Sequence, residues 1–136
     1  MNTNYINQNS ALSNQSYNDI FNELKEYAID TINDMKNACQ DLDEVKEIYQ
    51  MDECELHHEI FNMTYYIVGY YDCEKWLEKH RVSVFDGIKF CQDYERDNFG
   101  HDAVGRYDNA ETLVNMIVYI IGEDVLNEEF INTLNT

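Results

Sequence analysis

Residues 52–62, with the sequence DECELHHEIFN, hold one cysteine, two histidines and four acids, a dense group of potential metal ligands. On a helix Cys54 and Glu55 lie four and three residues before His58, so these side chains share a face. The adjacent His57 and His58 point about 100° apart and do not easily share one ion. No HExxH motif and no second ExxH pair accompany them. A metal-binding function through Cys54, His57 and His58 is therefore the weakest of three functional hypotheses, and the other two are given below. Our main expectation is that the protein binds no metal or other cofactor.

Nucleophilic catalysis would require a cysteine with a depressed pKa. The four cysteines are 15, 19 and 18 residues apart, without a CxxC pair, and none follows a glycine turn or an evident helix start. The sequence also lacks a phosphate-binding glycine loop and a nucleotide fingerprint. We therefore predict reduced, half-buried thiols and a protein that is not an enzyme.

The net charge of −18 is the dominant property of the chain, with 27 acids against 9 Lys and Arg. Direct binding to nucleic acid or to an anionic membrane is disfavoured, because those partners require basic surface. No apolar run is long enough for a membrane span, and the N-terminus lacks the features of a secretory signal. We expect a cytoplasmic protein with a basic partner. A charge that serves solubility alone is the alternative.

The elements that position these residues are predicted to be helical, because the chain has no proline and only five isolated glycines. Residues 1–15 are predicted to be a flexible leader, and residues 16–136 one domain. The first helix is expected to begin with Ser16 as N-cap and to end near residue 37. A second helix is expected over residues 41–62.

The remaining segments complete an all-α, compact bundle of five to six helices. Residues 64–80 are assigned to one helix, although their first half also has strand character, and residues 83–99 to another that stops at Gly100. The loop GHDAVGRYD precedes a helix capped by Asp108 or Asn109. Its LVNMIVYII run is apolar nearly all round, which predicts a buried central helix at about residues 110–121. A separate amphipathic helix is expected after Gly122.

An acidic stripe runs along the first helix. At about 100° per residue its five acids share a face about 80° wide, beside a separate apolar face. Like charges along one helix face lower its stability, so the stripe indicates a functional role and not only a structural one. The regular spacing of its carboxylates resembles that of the phosphates in a nucleic-acid backbone. The stripe residues are Asp19, Glu23, Glu26, Asp30 and Asp34. Further acids predicted to extend this surface are Asp41, Asp43, Glu44, Glu47, Asp52 and Glu53.

Three motifs carry a resemblance: LHHEIFN running into YYIVG, then YERDNFG, then NMIVYIIGED. They resemble a family of small acidic proteins of tailed bacteriophages and mobile elements, over roughly residues 54–126. The loop HDAVGRYDN is longer than in that family, and the acidic first helix lies outside the matching region. The resemblance implies a phage context and no particular mechanism.

Two functions are therefore the main expectations. The first is a phage-encoded inhibitor of a host CRISPR effector or restriction complex, which acts as an acidic DNA mimic in the host cytoplasm. The second is a non-enzymatic interaction or regulatory module of a phage that uses an aromatic surface at Tyr70, Tyr71 and Trp76. The sequence leaves open whether the protein is a homodimer.

Overall fold

The computed structural model of the chain describes residues 12–38, 62–65, 72–100 and 109–134. Over these residues the chain forms four α-helices of different lengths and one further helical turn at 62–65. The described residues contain no β-strand. The helices are α1 (Asn14–Ala38), α2 (Cys73–Lys79), α3 (Val84–Phe99) and α4 (Ala110–Leu134). The predicted all-α bundle is confirmed.

Helix α4 lies at the centre of the bundle and packs against α1, α2 and α3. Its apolar residues cover most of its circumference, so it can bury side chains against several neighbours at once. This confirms the predicted central helix. The buried apolar residues of α4 are Leu113, Val114, Ile117, Val118, Ile120, Ile121, Val125 and Leu126.

The start of α1 differs from the prediction. The Ser13 hydroxyl accepts a hydrogen bond from the Ser16 backbone N–H at 3.1 Å, which is the geometry of an N-cap. Ser16 is instead buried inside the first turn, where its hydroxyl donates to the carbonyl oxygen of Arg81 at 3.3 Å. Ser13 and Ser16 are both suitable N-cap residues, and the helix begins after Ser13. Asn14 and Gln15, which the sequence prediction places in the leader, are helical.

Several predicted segments lie outside the described residues. They are residues 1–11 of the leader, nearly all of the predicted helix over 41–62, and the loop over 101–108.

The helix predicted over residues 64–80 is wrong as a single element. Residues 64 and 65 are helical, but Asp72 has an extended backbone and is the N-cap of α2. Its carboxylate accepts the backbone N–H groups of Glu74 at 3.0 Å and Lys75 at 3.2 Å. Aspartate is among the most favourable N-cap residues, so the local signal for a new helix start was present in the sequence.

Helix α3 has the predicted ends. The Ser83 hydroxyl accepts the backbone N–H of Asp86 at 3.1 Å, and Gly100 takes the left-handed conformation with φ 71°. The start of α4 also matches, because the Asn109 side chain accepts the Thr112 backbone N–H at 2.8 Å. These caps satisfy backbone groups that a helix cannot pair internally.

Helix α4 continues through Gly122, where we had predicted a break between two helices. Gly122 is buried within the helix, opposite the Met63 side chain. A glycine inside a helix costs only about 1 kcal/mol relative to alanine. Because apolar residues on both sides of Gly122 are buried in the core, their packing outweighs this cost and the helix is not interrupted.

Substitution of Gly122 by alanine is expected to stabilise the protein by about 0.5–1 kcal/mol, because the helix propensity improves. A Cβ there would lie 3.5 Å from Met63 Sδ, an ordinary contact distance. Gly87→Ala in α3 is the matched comparison, since its Cβ would lie only 3.2 Å from Leu113 Cδ2. Urea unfolding should therefore rank Gly122→Ala above Gly87→Ala. The reverse order would contradict this description of the two sites.

Candidate functional site

Three acids of the predicted stripe lie exposed on α1: Asp19, Glu26 and Asp30. None of them forms an ion pair with another described residue. They lie seven and four residues apart, so about 10 Å and 6 Å separate them along the helix axis. Within the described part of the chain, helix α1 thus presents to solvent a row of carboxylates that no Lys, Arg or His side chain pairs with.

The remaining predicted partner-binding acids differ in what the structure describes of them. The side chain of Asp34 lies outside the described part of α1, and six further acids lie in residues 39–61, also outside it. Their predicted role stays a prediction. These six are Asp41, Asp43, Glu44, Glu47, Asp52 and Glu53.

Glu23 belongs to the same stripe in sequence but faces α2. Its carboxylate accepts hydrogen bonds from Trp76 Nε1 at 3.0 Å and pairs with His80 Nε2 at 2.7 Å. Lys79 Nζ lies 3.4 Å from the same carboxylate. On the helical wheel Glu23 is about 40° from Asp19 towards the apolar face, and this offset brings it within reach of α2. Glu23 therefore joins α1 to α2.

The pKa of Glu23 reflects opposing effects. Partial burial alone raises the pKa of this carboxyl, but the hydrogen bonds from His80 and Trp76 and the charges of His80 and Lys79 lower it more, to about 2. Hydrogen bonds and positive charges favour the ionised form of a carboxylate. Glu23 is therefore ionised at neutral pH.

His80 is almost completely buried, with 4% of its surface exposed. Its ring meets the Trp76 ring edge to face, with centroids 4.7 Å apart, and its Nδ1 atom is buried with no hydrogen-bond partner among the described residues. A carboxylate paired with an imidazole resembles an acid–base site, but a substrate cannot reach a ring that is this buried. The arrangement favours a structural role. The sequence does not reveal this cluster, because no local motif links Glu23 to residues 76–80.

The structure excludes Trp76 from any aromatic interaction surface. Its side chain is 2% exposed, and its indole N–H is bonded to Glu23. The other residues of that hypothesis, Tyr70 and Tyr71, lie outside the described residues. Tyr65 is exposed, but alone it does not form a patch.

Two buried or partly buried tyrosines bond to acids of α4. The Tyr17 hydroxyl donates to Asp124, and the Tyr94 hydroxyl donates to Glu123 Oε2 at 2.7 Å. Burial, followed by the hydrogen bond to the acid, raises the pKa of both tyrosines well above the usual range. Both phenols stay protonated and act as permanent donors.

The two described cysteines are not suited to nucleophilic catalysis. Cys73 is the first residue of α2, contrary to our expectation that no cysteine starts a helix, but burial and the charges of Glu111 and Asp72 raise its pKa. Burial and the charge of Glu95 raise the pKa of Cys91 even more. A raised pKa keeps a thiol protonated and unreactive at neutral pH.

The metal hypothesis rests on Cys54, His57 and His58, which lie outside the described residues. Where the structure is described, no cluster of three or more His, Cys, Asp or Glu side chains could hold an ion. None of the helices in this part of the chain has the length and hydropathy needed to cross a membrane.

No family model, curated protein or solved structure matches the chain. The resemblance to phage proteins therefore stays a prediction from the motifs.

Proposed function

We propose that this protein is a non-enzymatic inhibitor that occupies the nucleic-acid-binding surface of a basic protein in place of nucleic acid. The partner class that we favour is a host CRISPR effector or restriction complex, with the inhibitor encoded by a phage and active in the host cytoplasm. The exposed acids of α1, at Asp19, Glu26 and Asp30, would make the first contacts.

The observation that carries this proposal is the row of three exposed carboxylates on α1, none of them paired with another described residue. A protein that needs charge for solubility alone gains nothing from leaving one helix face free of Lys and Arg, because mixed charges also keep a surface soluble. A basic groove would supply the missing cations. Helix α1 packs against α4 and is joined to α2 by the hydrogen bond between Trp76 and Glu23, so the row lies on a helix that is anchored to the core.

The charge of the whole chain would assist this binding. With a net charge of −18, the protein would be attracted to a basic groove over distances comparable to the Debye length, about 8–10 Å at physiological salt. Such attraction raises association rates and falls as salt increases. Inhibition of the partner is therefore expected to be competitive with nucleic acid and sensitive to salt.

The test is a cleavage assay with a panel of purified CRISPR effector and restriction complexes, measured with and without the protein at two salt concentrations. The triple variant Asp19→Asn, Glu26→Gln, Asp30→Asn is expected to inhibit at least about tenfold less well, since three charge contacts of up to about 1 kcal/mol each are removed.

The matched control is the triple variant Asp86→Asn, Asp97→Asn, Glu111→Gln, which removes the same number of exposed charges from α3 and α4. It is expected to inhibit like the original protein. If both triple variants lose inhibition equally, net charge alone is responsible and the proposed row has no specific role. If no member of the panel is inhibited, the proposal fails for this class of partner.

A further inference from the structure

A second surface lies on the far side of α2 from α1. It is an open cleft of about 650 Å³ between α2, the turn that follows it, and the first turns of α3 and α4. Its floor is made by Leu77, Val82 and Leu113, which are each at most 5% exposed. The floor of the cleft is thus the edge of the hydrophobic core.

The wall of the cleft continues onto an exposed apolar surface. Val84 lines the cleft and is 58% exposed, and the next residue, Phe85, is 75% exposed. It is unusual for two neighbouring large apolar residues to be this exposed. Contiguous apolar surface of this kind marks binding sites. A small molecule would fit the volume, but it would leave the adjoining apolar surface uncovered.

The rim of the cleft is acidic. Glu74 and Glu78 line it, are exposed, and form no ion pair with any residue in the described ranges. Asp72 and Glu111 lie nearby, since both act electrostatically on Cys73 at the start of α2. An apolar floor with unpaired carboxylates at its edge is complementary to an apolar side chain that has positive charges beside it.

We propose that this cleft binds a segment of a partner protein that presents a large apolar side chain flanked by lysines or arginines. The apolar side chain occupies the floor formed by Leu77, Val82 and Leu113, and the flanking cations pair with Glu74 and Glu78. This goes beyond the proposed inhibition, because α2 separates the cleft from the acidic row. In α2, Trp76 and His80 face α1, whereas Glu74 and Glu78 lie on the opposite side of the same helix.

The test uses a fluorescently labelled helical peptide of leucine and lysine, and binding is measured by fluorescence anisotropy. Any basic peptide is attracted to a strongly acidic protein, so matched pairs of variants are needed. Glu74→Gln with Glu78→Gln is expected to weaken binding about five- to tenfold, whereas Asp19→Asn with Glu26→Gln, which removes the same charge from α1, should change it less than about twofold.

The apolar part of the site is tested separately. Val84→Ser is expected to weaken peptide binding about fivefold, because it removes apolar area from the wall. Tyr65→Ser removes an exposed aromatic residue that does not line the cleft, and it should leave the affinity unchanged. Both positions are exposed, so neither variant should impair folding, which circular dichroism can verify.

Three results would overturn the proposal. One is a failure of the peptide to bind the unaltered protein. Another is equal weakening by the two charge pairs, which would mean that the peptide follows net charge alone. The third is a dimer in sedimentation experiments that Val84→Ser dissociates, because the cleft would then be occupied by a second copy of the chain. None of these results bears on the cleavage assay above, so the two proposals can fail independently.

Discussion

Replacing Glu23 with leucine is expected to destabilise the protein by about 3 kcal/mol, because Trp76 Nε1 and His80 Nε2 lose their acceptor in a buried setting. Glu23→Gln keeps the shape but removes the charge, and should cost about 2 kcal/mol. The control is Glu26→Leu with Glu26→Gln, three residues along the same helix at an exposed position. These are expected to change the stability by less than about 0.5 kcal/mol. Urea unfolding at neutral pH measures all four variants.

The cost of Glu23→Gln should also depend on pH in a defined direction. The pKa of Glu23 is about 2 in the folded protein and about 4.3 in an unfolded chain. A lowered pKa stabilises the folded state above the unfolded value, and this stabilisation is lost as the pH falls through the folded value. The difference between the unaltered protein and Glu23→Gln should therefore shrink as the pH falls from about 4.5 to 2. A difference that does not change over this window would show that the Glu23 charge is not stabilising.

The second large effect is expected at Tyr17. Tyr17→Phe should destabilise the protein by about 2 kcal/mol, because it removes a hydrogen bond to the carboxylate of Asp124, and bonds to charged groups contribute most. Tyr17 has no exposed surface and Asp124 is 9% exposed, so water cannot readily replace the hydroxyl.

Tyr94→Phe is the comparison for this prediction. Its hydroxyl bonds to Glu123, which is only partly buried, so water can take over part of the interaction and a cost of about 1 kcal/mol is expected. Thermal unfolding of both variants gives the order. If both variants lose the same stability, the burial of the Tyr17–Asp124 pair adds nothing to the contribution of an ordinary hydrogen bond.

Local signals in the sequence predicted the parts of the fold that local physics determines. Helix α3 has the expected ends because Ser83 and Gly100 each favour one backbone conformation. The LVNMIVYII run predicted the central helix because a segment that is apolar on all sides has to be surrounded.

The predictions failed where a local preference was misjudged or overruled by packing. The glycine at position 122 predicts a helix stop, but the apolar residues on both sides of it are buried and the helix continues across that position. The apolar and aromatic character of residues 64–80 predicts one continuous helix, whereas Asp72 within this segment is the N-cap of α2. Both errors concern the position of a helix boundary and not whether the segment is helical.

The acidic stripe shows how far a helical wheel can predict a site. The wheel put Asp19, Glu26 and Asp30 on one face, and all three are exposed. It could not show that Glu23 faces α2, because that depends on Trp76 and His80, more than fifty residues further along the chain. The periodicity of one helix predicts which residues share a face, but only the neighbouring helix decides which of them remain available to a partner.

The contact between α1 and α4 also has a consequence for how the protein is made. Tyr17 and Asp124 are 107 residues apart, and closing a chain segment of this length is slow relative to forming a local contact. Helix α1 is synthesised before α4, so the part of its apolar face that packs against α4 stays uncovered until about 107 further residues have been made. During that interval the repulsion among its carboxylates would keep nascent chains from associating with one another.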